Sequence, residues 1–177
     1  VDVARVRLYL VADPPVFRFI RPGGVPDSIP ALRLRAQVNL VPYIRSRGPA
    51  ALQAALPECI VDTGCYLAVI PEYIWSHFHP NAVTPLPFDP AMPAYHRFVS
   101  LGGGNYPYEL GELTVRLWDQ SRRTMDLRVV AQFTRDNGTL TLPMVLGLRG
   151  GALDGRILRG VPDPAAPFGQ DWSLEDP

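Results

Sequence analysis

Proline sets the terms on which this chain can fold. Twenty prolines and fifteen glycines are spread through its 177 residues, and a proline inside a helix removes a hydrogen bond and clashes with the preceding turn. Long helices are therefore excluded over most of the chain, and short strands joined by turns are what such spacing permits. The apolar pattern agrees. Val6, Leu8 and Leu10 alternate with Arg5, Arg7 and Tyr9, predicting a strand over residues 3–11. Leu32, Leu34, Ala36, Val38 and Leu40 alternate strictly with Arg33, Arg35, Gln37 and Asn39, the clearest strand in the chain. Cys59-Ile60-Val61 reads as a short buried strand, and Leu67, Val69 and Ile70 resume it after a polar turn. Residues 97–101 and 106–110 flank Gly102-Gly103-Gly104-Asn105 as the arms of a hairpin flank its tip. Leu113, Val115 and Leu117 alternate again, as do Met125, Leu127, Val129, Ala131 and Phe133.

Helix is confined to two places. Pro71 is placed to open a short helix reaching about Phe78, with Glu72 near its positive end. The Ala-rich residues 49–56 read as a helical turn stopped by Pro57. Residues 80–93 read as a surface connection, and Asp136-Asn137-Gly138 as a turn. The expected fold class is all-β, with one or two short helices. A domain is expected over residues 1–160, followed by a Pro/Asp-rich tail over residues 161–177 that is extended or disordered.

Charge and cysteine usage narrow the function classes. Seventeen basic residues balance seventeen acidic ones, so no overall field draws the protein to nucleic acid or to an anionic membrane. The two cysteines, Cys59 and Cys65, are too few for a disulfide framework and fit a reduced compartment. No apolar run is long enough to span a bilayer and no secretory leader is evident, so the expected location is cytoplasmic. The start at Val1 rather than Met leaves open a removed leader, precursor segment or neighbouring domain.

Asp62-Thr63-Gly64 interrupts the apolar run with a tight polar turn. Alone, such a turn usually only connects strands. Its setting is more informative: Cys59-Ile60-Val61 before it, Leu67-Ala68-Val69-Ile70-Pro71 after it, a glycine hairpin downstream, then Val145-Leu146-Gly147. In this order the sequence resembles the retropepsin-like aspartic proteases over roughly residues 30–160. In that family an apolar pair precedes Asp-Thr-Gly, a glycine-rich flap follows, and a late apolar-apolar-Gly strand packs beside the active-site loop. The segment from Leu146-Gly147-Leu148 to Asp154 looks like the closing segment of bacterial members.

The resemblance implies a closed acid-protease barrel with one lobe per chain. With one motif present, the second aspartate must come from a second copy, so a two-fold homodimer is implied, with both Asp62 carboxylates on the axis. Two carboxylates in contact share one proton, one serving as base toward water and the other as acid toward the peptide carbonyl. No metal or cofactor is implied. Thr63 is implied to bond across the axis, and Gly64 to let the backbone approach a carboxylate. Gly102, Gly103, Gly104, Asn105 and Tyr106 are implied as a flap over an extended polypeptide bound as an added strand. Cys65, Val145, Leu146 and Gly147 support the loop. The family places Ser, Thr or Ala where this chain has Cys65. A thiol is the poorer donor to a carboxylate, and a cysteine there reads better as a small space-filling residue. The alternative function is a weakly active or inactive dimer of the same fold that binds a peptide or protein in its groove.

Other motifs carry less. His77 and His79 lack neighbouring ligands with metal spacing and read as a solvated helix end. The triple glycine lacks the Lys-Ser or Lys-Thr of a phosphate loop. No Gly-x-Ser-x-Gly elbow occurs.

Overall fold

The computed structural model describes residues 4–45, 58–135 and 142–177. The chain is mainly β, as its proline spacing and period-two pattern require. The predicted helical turn at 49–56 and the turn at 136–138 lie outside the described residues.

β1 (Arg5–Arg21) and β2 (Val25–Asn39) form a long antiparallel ribbon, in register from Tyr9↔Arg35 to Arg21↔Val25. Both strands outrun their predicted limits. The prolines that mark breaks in the sequence are accommodated instead: Pro14 and Pro15 fall at a register irregularity between Asp13 and Val16, and Pro26 and Pro30 share one strand parity. In a two-stranded ribbon alternate N–H groups point away from the partner, where proline's missing donor costs nothing.

The centre is built from β3 (Glu58–Val61), β4 (Ala68–Pro71), β7 (Gly104–Trp118), β8 (Thr124–Thr134) and β9 (Val145–Leu146). β7 and β8 pair antiparallel from Tyr108↔Thr134 to Trp118↔Thr124. β8 runs parallel to β4. β9 inserts between β3 and β4, parallel to the first and antiparallel to the second. β2 pairs with β3 on one side and also with β7 at Val38↔Leu117, so the path of neighbouring strands returns from β7 to β2.

Inward positions of these strands form the main core. Val6, Leu8, Ala36, Val38, Leu40, Leu113, Val115, Leu117, Leu127 and Val129 are all buried, as their alternation predicts. Each such aliphatic side chain contributes about 1.5–3 kcal/mol relative to exposure. Leu32, by contrast, lies beyond the body of the sheet and is 43% exposed, because β2 has no third strand beside it there among the described residues.

Three peripheral regions differ from expectation. The helix α1 (Glu72–Trp75) is shorter than predicted. Past it, His77 N–H donates to Ile74 O and Phe78 N–H to Trp75 O, tightening the chain so that buried Phe78 can bridge to Ile44. Inside the expected surface connection, β5 (Thr84–Leu86) pairs along β7 as an edge strand, where Pro85 is tolerated. The expected domain limit at 160 falls inside β10 (Ile157–Pro162), and β11 (Gln170–Glu175) pairs with both β10 and β1. Leu174 is fully buried, so residues 170–175 belong to the sheet rather than to a loose tail. β6 (Phe98–Leu101) pairs with the start of β7.

Candidate active site

The turn joining β3 to β4 carries Asp62, Thr63, Gly64, Cys65 and Tyr66. Its entry and exit are fixed by buried strand residues, Val61 on one side and Ala68, Val69 and Ile70 on the other. The turn itself is closed by Cys65 N–H donating to Asp62 O at 3.2 Å and by Gly64 N–H donating to Asp62 Oδ1 at 2.8 Å. The second bond orients the carboxylate with a donor from its own backbone. Gly64 does not sit at positive φ; what it supplies is space, since a Cβ there would stand 3.2 Å from Asp62 Oδ1. Asp62 is half-buried, while Thr63 and Gly64 are exposed on the single chain.

A strap of backbone bonds holds this turn to the segment around β9. Ile60 N–H donates to Met144 O, Asp62 N–H to Leu146 O, Leu148 N–H to Cys65 O, and Arg149 N–H to Tyr66 O, all between 2.8 and 3.0 Å. Gly147 lies where the two segments touch. A Cβ there would collide with the Leu67 carbonyl group and come within 2.9 Å of Cys65 O, so no other residue fits without moving the Asp62 turn. Val145 and Leu146 are buried on opposite sides of β9, Val145 toward a small second cluster and Leu146 in the main core.

That second cluster, separate from the main core, consists of Cys65, Val69 and Val145, with Ile60, Val99 and Leu101 packed against it. Val99 and Leu101 come from β6, so the glycine hairpin and the Asp62 turn share one apolar contact. Among the residues that sequence reading left out of the site, these two matter most. Their period-two spacing immediately before Gly102 was the signal that could have found them.

The hairpin is tighter than predicted. Leu101 pairs with Gly104 and Ser100 with Asn105, leaving only Gly102 and Gly103 as the turn, at φ of +56° and +83°. Positive φ at both central residues is the type I′ geometry whose twist matches paired strands. Nothing lies within 4 Å of a Cβ built on either glycine, so the tip stands in open space. Asn105 is exposed and accepts from the Ser100 hydroxyl. Tyr106 is only 2% exposed, with its ring against Gly104; on this chain it stiffens the hairpin rather than presenting its face to solvent. Tyr108 is likewise buried, its hydroxyl donating to His96 O.

Both cysteines are free and buried, so the two do not form a disulfide. Cys65 Sγ donates to Leu67 O at 3.2 Å, and not to the Asp62 carboxylate. Burial, then the negative charge of Asp62, pushes the Cys65 thiol up. Burial pushes Cys59, behind the turn, up to about 12. His77 and His79 serve through their backbones: His77 O accepts from Arg45 N–H and His79 N–H donates to Tyr43 O. Among the described residues no helix is long and apolar enough to cross a membrane.

The chain matches no family model, no curated protein and no solved structure.

Proposed function

We propose that this chain is one subunit of a homodimeric aspartic endopeptidase of the retropepsin-like kind, in which the Asp62 carboxylates of two copies together activate water. The observation that carries this reading is the common cluster of the Asp62 turn and the glycine hairpin through Cys65, Val69, Val145, Val99 and Leu101. It ties the hairpin that carries the two-glycine tip to the turn that carries the oriented carboxylate. The insertion of β9 between β3 and β4, with Gly147 against the turn, supports the same reading. So does the pairing of β2 with β7, which supports a closed barrel.

The chemistry follows from pairing. Two carboxylates brought into contact hold one proton between them over a window of pH. The ionised partner takes a proton from water as the oxygen attacks the peptide carbonyl. The protonated partner donates to the carbonyl oxygen as charge develops on it. The Gly64 N–H bond to Oδ1 keeps the carboxylate facing the water instead of rotating freely. Exposed Thr63 is available to bond across the two-fold axis. An extended polypeptide lies between the turn and the hairpin, its backbone paired as an added strand. Cys65 fills space beneath the carboxylate and leaves its outer oxygen without a hydroxyl donor.

The test is cleavage of denatured casein or a peptide library by the wild type and by Asp62→Asn. Loss of cleavage in the variant, together with block of the wild type by a statine-type transition-state analogue, is the expected result. Cleavage indifferent to both would end the peptidase reading. Groove-dependent peptide affinity that survives Asp62→Asn, with no cleavage by either protein, would favour the binding module.

A further inference from the structure

Beyond Ala12 and Leu32 the β1–β2 ribbon leaves the body of the sheet as an arm with no third strand among the described residues. Its base is fixed. Asp13 pairs with Arg33 and Arg35, and Arg35 reaches on to Glu58 at the start of β3. Its tip turns at Gly23 and Gly24, at φ of +92° and +80°.

The register groups the arm's residues by face. Phe17 stands opposite Ile29, Phe19 opposite Asp27, and Arg21 opposite Val25, so these six share one face. On it Phe17 is 60% exposed, Val25 58% and Ile29 55%. Arg21 pairs with Asp27 and lies over the Phe19 ring, which explains why Phe19 is less exposed than its neighbours. With aromatic side chains of about 150–250 Å² each, those exposures leave roughly 400 Å² of apolar surface on this face. A lone two-stranded ribbon is marginal in water, and an exposed apolar face of this size, at the scale of patches that are often functional, calls for a neighbour to cover it.

Three observations identify the occupant. The first is direction. β3 runs antiparallel to β2 with Ile60 opposite Arg35, so continuing the register sets Asp62 level with Arg33, and the arm continues past it for about 30 Å at 3.3 Å per residue. In the proposed dimer that is the side on which the other subunit stands. The second is charge. Between residues 12 and 32 the arm carries Asp13, Arg18, Arg21 and Asp27 and no other charged side chain, a balanced set that gives no attraction to an anionic membrane or to nucleic acid. The third is area. Two arms related by a two-fold axis, each burying this face against an equal area of the other subunit, would cover about 1,500 Å² in total, the size of a stable interface.

We infer that residues 16–30 form a clasp whose Phe17, Phe19, Val25 and Ile29 face lies against a second copy of this chain, holding the dimer together on the side that carries Asp62. This rests on the homodimer reading and adds to it the element that sets dimer affinity. Because the clasp residues stand outside the main core, their replacement leaves each subunit folded.

The test is sedimentation equilibrium of the full chain over a wide concentration range. It compares the wild type, Phe17→Ser/Val25→Ser/Ile29→Ser, and a second variant with residues 16–30 replaced by Asn-Gly, each with its thermal midpoint and its peptidase activity against concentration. Expected are a wild-type dimer, a dissociation constant raised at least about 100-fold in both variants, an unchanged midpoint of monomer unfolding, and activity in the variants that returns as concentration rises. A wild-type dimer matched in affinity by both variants would overturn the clasp and leave the peptidase reading intact. Arm-dependent flotation with neutral phosphatidylcholine vesicles, with dimer affinity unaltered, would assign the face to lipid and overturn it too. A wild type that stays monomeric and inactive at every concentration would end both.

Discussion

Two ribbons in this molecule both turn at a pair of glycines and meet opposite fates. The β1–β2 arm turns at Gly23-Gly24 and the β6–β7 hairpin at Gly102-Gly103, each with positive φ at both glycines and open space around them. The hairpin turns most of its apolar residues to its own chain: Val99 and Leu101 pack on the cluster beneath the Asp62 turn and Tyr106 and Tyr108 are buried, leaving Phe98 52% exposed. The arm leaves Phe17, Val25 and Ile29 more than half exposed. A ribbon has too little mass to cover its own faces, so its stability depends on what lies beside it. For the hairpin the neighbour is intramolecular, the cluster that also holds the Asp62 turn. For the arm no such neighbour is found among the described residues, and the proposed clasp assigns that place to a second copy.

The contrast between an anchored region and a waiting one can be broken at defined points. The largest effect is expected at Gly147, where a Cβ meets the Leu67 carbonyl group and not open space. Gly147→Ala is expected to cost about 3 kcal/mol through overpacking against backbone. In a chain of this size that lowers the thermal midpoint by roughly 6–12 °C, with peptidase activity lost because the Asp62 turn must shift. Calorimetry and a cleavage assay measure the two together. An unchanged midpoint would mean that the strap between β9 and the turn is not rigid.

Next in size is the hairpin anchor. Val99→Ser/Leu101→Ser removes its half of the shared cluster, and a loss of about 1–2 kcal/mol is expected from two partly buried side chains. Cleavage should fall about tenfold or more, mainly in kcat/KM, because an unanchored hairpin closes over substrate less often. Equal activity would detach the hairpin from function.

At the arm tip, Gly24→Ala meets no neighbour, so only the positive φ opposes it, at about 1 kcal/mol. Thermal stability should change by only a few degrees and cleavage at high protein concentration not at all. A drop like that of Gly147→Ala would show the tip to be packed after all.

The smallest effect concerns the thiol beneath the carboxylate. Burial and the Asp62 charge raise the Cys65 thiol above its usual range, so at pH 8 it carries less thiolate than a free cysteine and alkylates more slowly. Asp62→Asn removes the charge, lowers the thiol back toward its ordinary value and raises the iodoacetamide rate about two- to threefold. Peptide mapping by mass spectrometry distinguishes Cys65 from Cys59, whose own shift has burial as its leading cause and whose rate should not change. Equal rates at Cys65 in both proteins would remove the electrostatic link. The same shifts bear on stability. Below pH 9, the ordinary value, folded and unfolded thiols are both protonated and this stability is fully kept; above it the unfolded thiol ionises while buried Cys59 stays protonated, so stability declines as pH rises toward 12.

Much of this architecture was legible in the sequence, for a physical reason. The alternation at Leu113, Val115 and Leu117, and again at Met125, Leu127, Val129 and Ala131, demands a buried face, and the sheet supplies one. The same rule misled at Leu32, because alternation records which side a residue faces but not whether anything lies there. Proline spacing implies short strands, yet the long ribbon takes Pro14 at a register irregularity and Pro26 and Pro30 on its free edge. The end of the chain was read from composition, but Leu174 and its pairing with β1 are a long-range contact that local composition does not encode. At the site, Asp62, Gly64 and Gly147 stood out through the short motifs that carry the family resemblance, which are local in sequence. Val99 and Leu101 did not, since their partners lie far away in sequence. The burial of Tyr106 was likewise invisible to local pattern.

The central claim is that one site takes an aspartate from each of two chains, and subunit mixing tests it most directly. Wild type and Asp62→Asn are combined at fixed total concentration, allowed to exchange, and assayed for cleavage as the wild-type fraction is varied. If both copies of Asp62 are required, activity follows the square of that fraction, falling to about one quarter at equal mixing. A linear decline, with half the activity left at equal mixing, would mean that each chain carries a complete site of its own and would contradict the account.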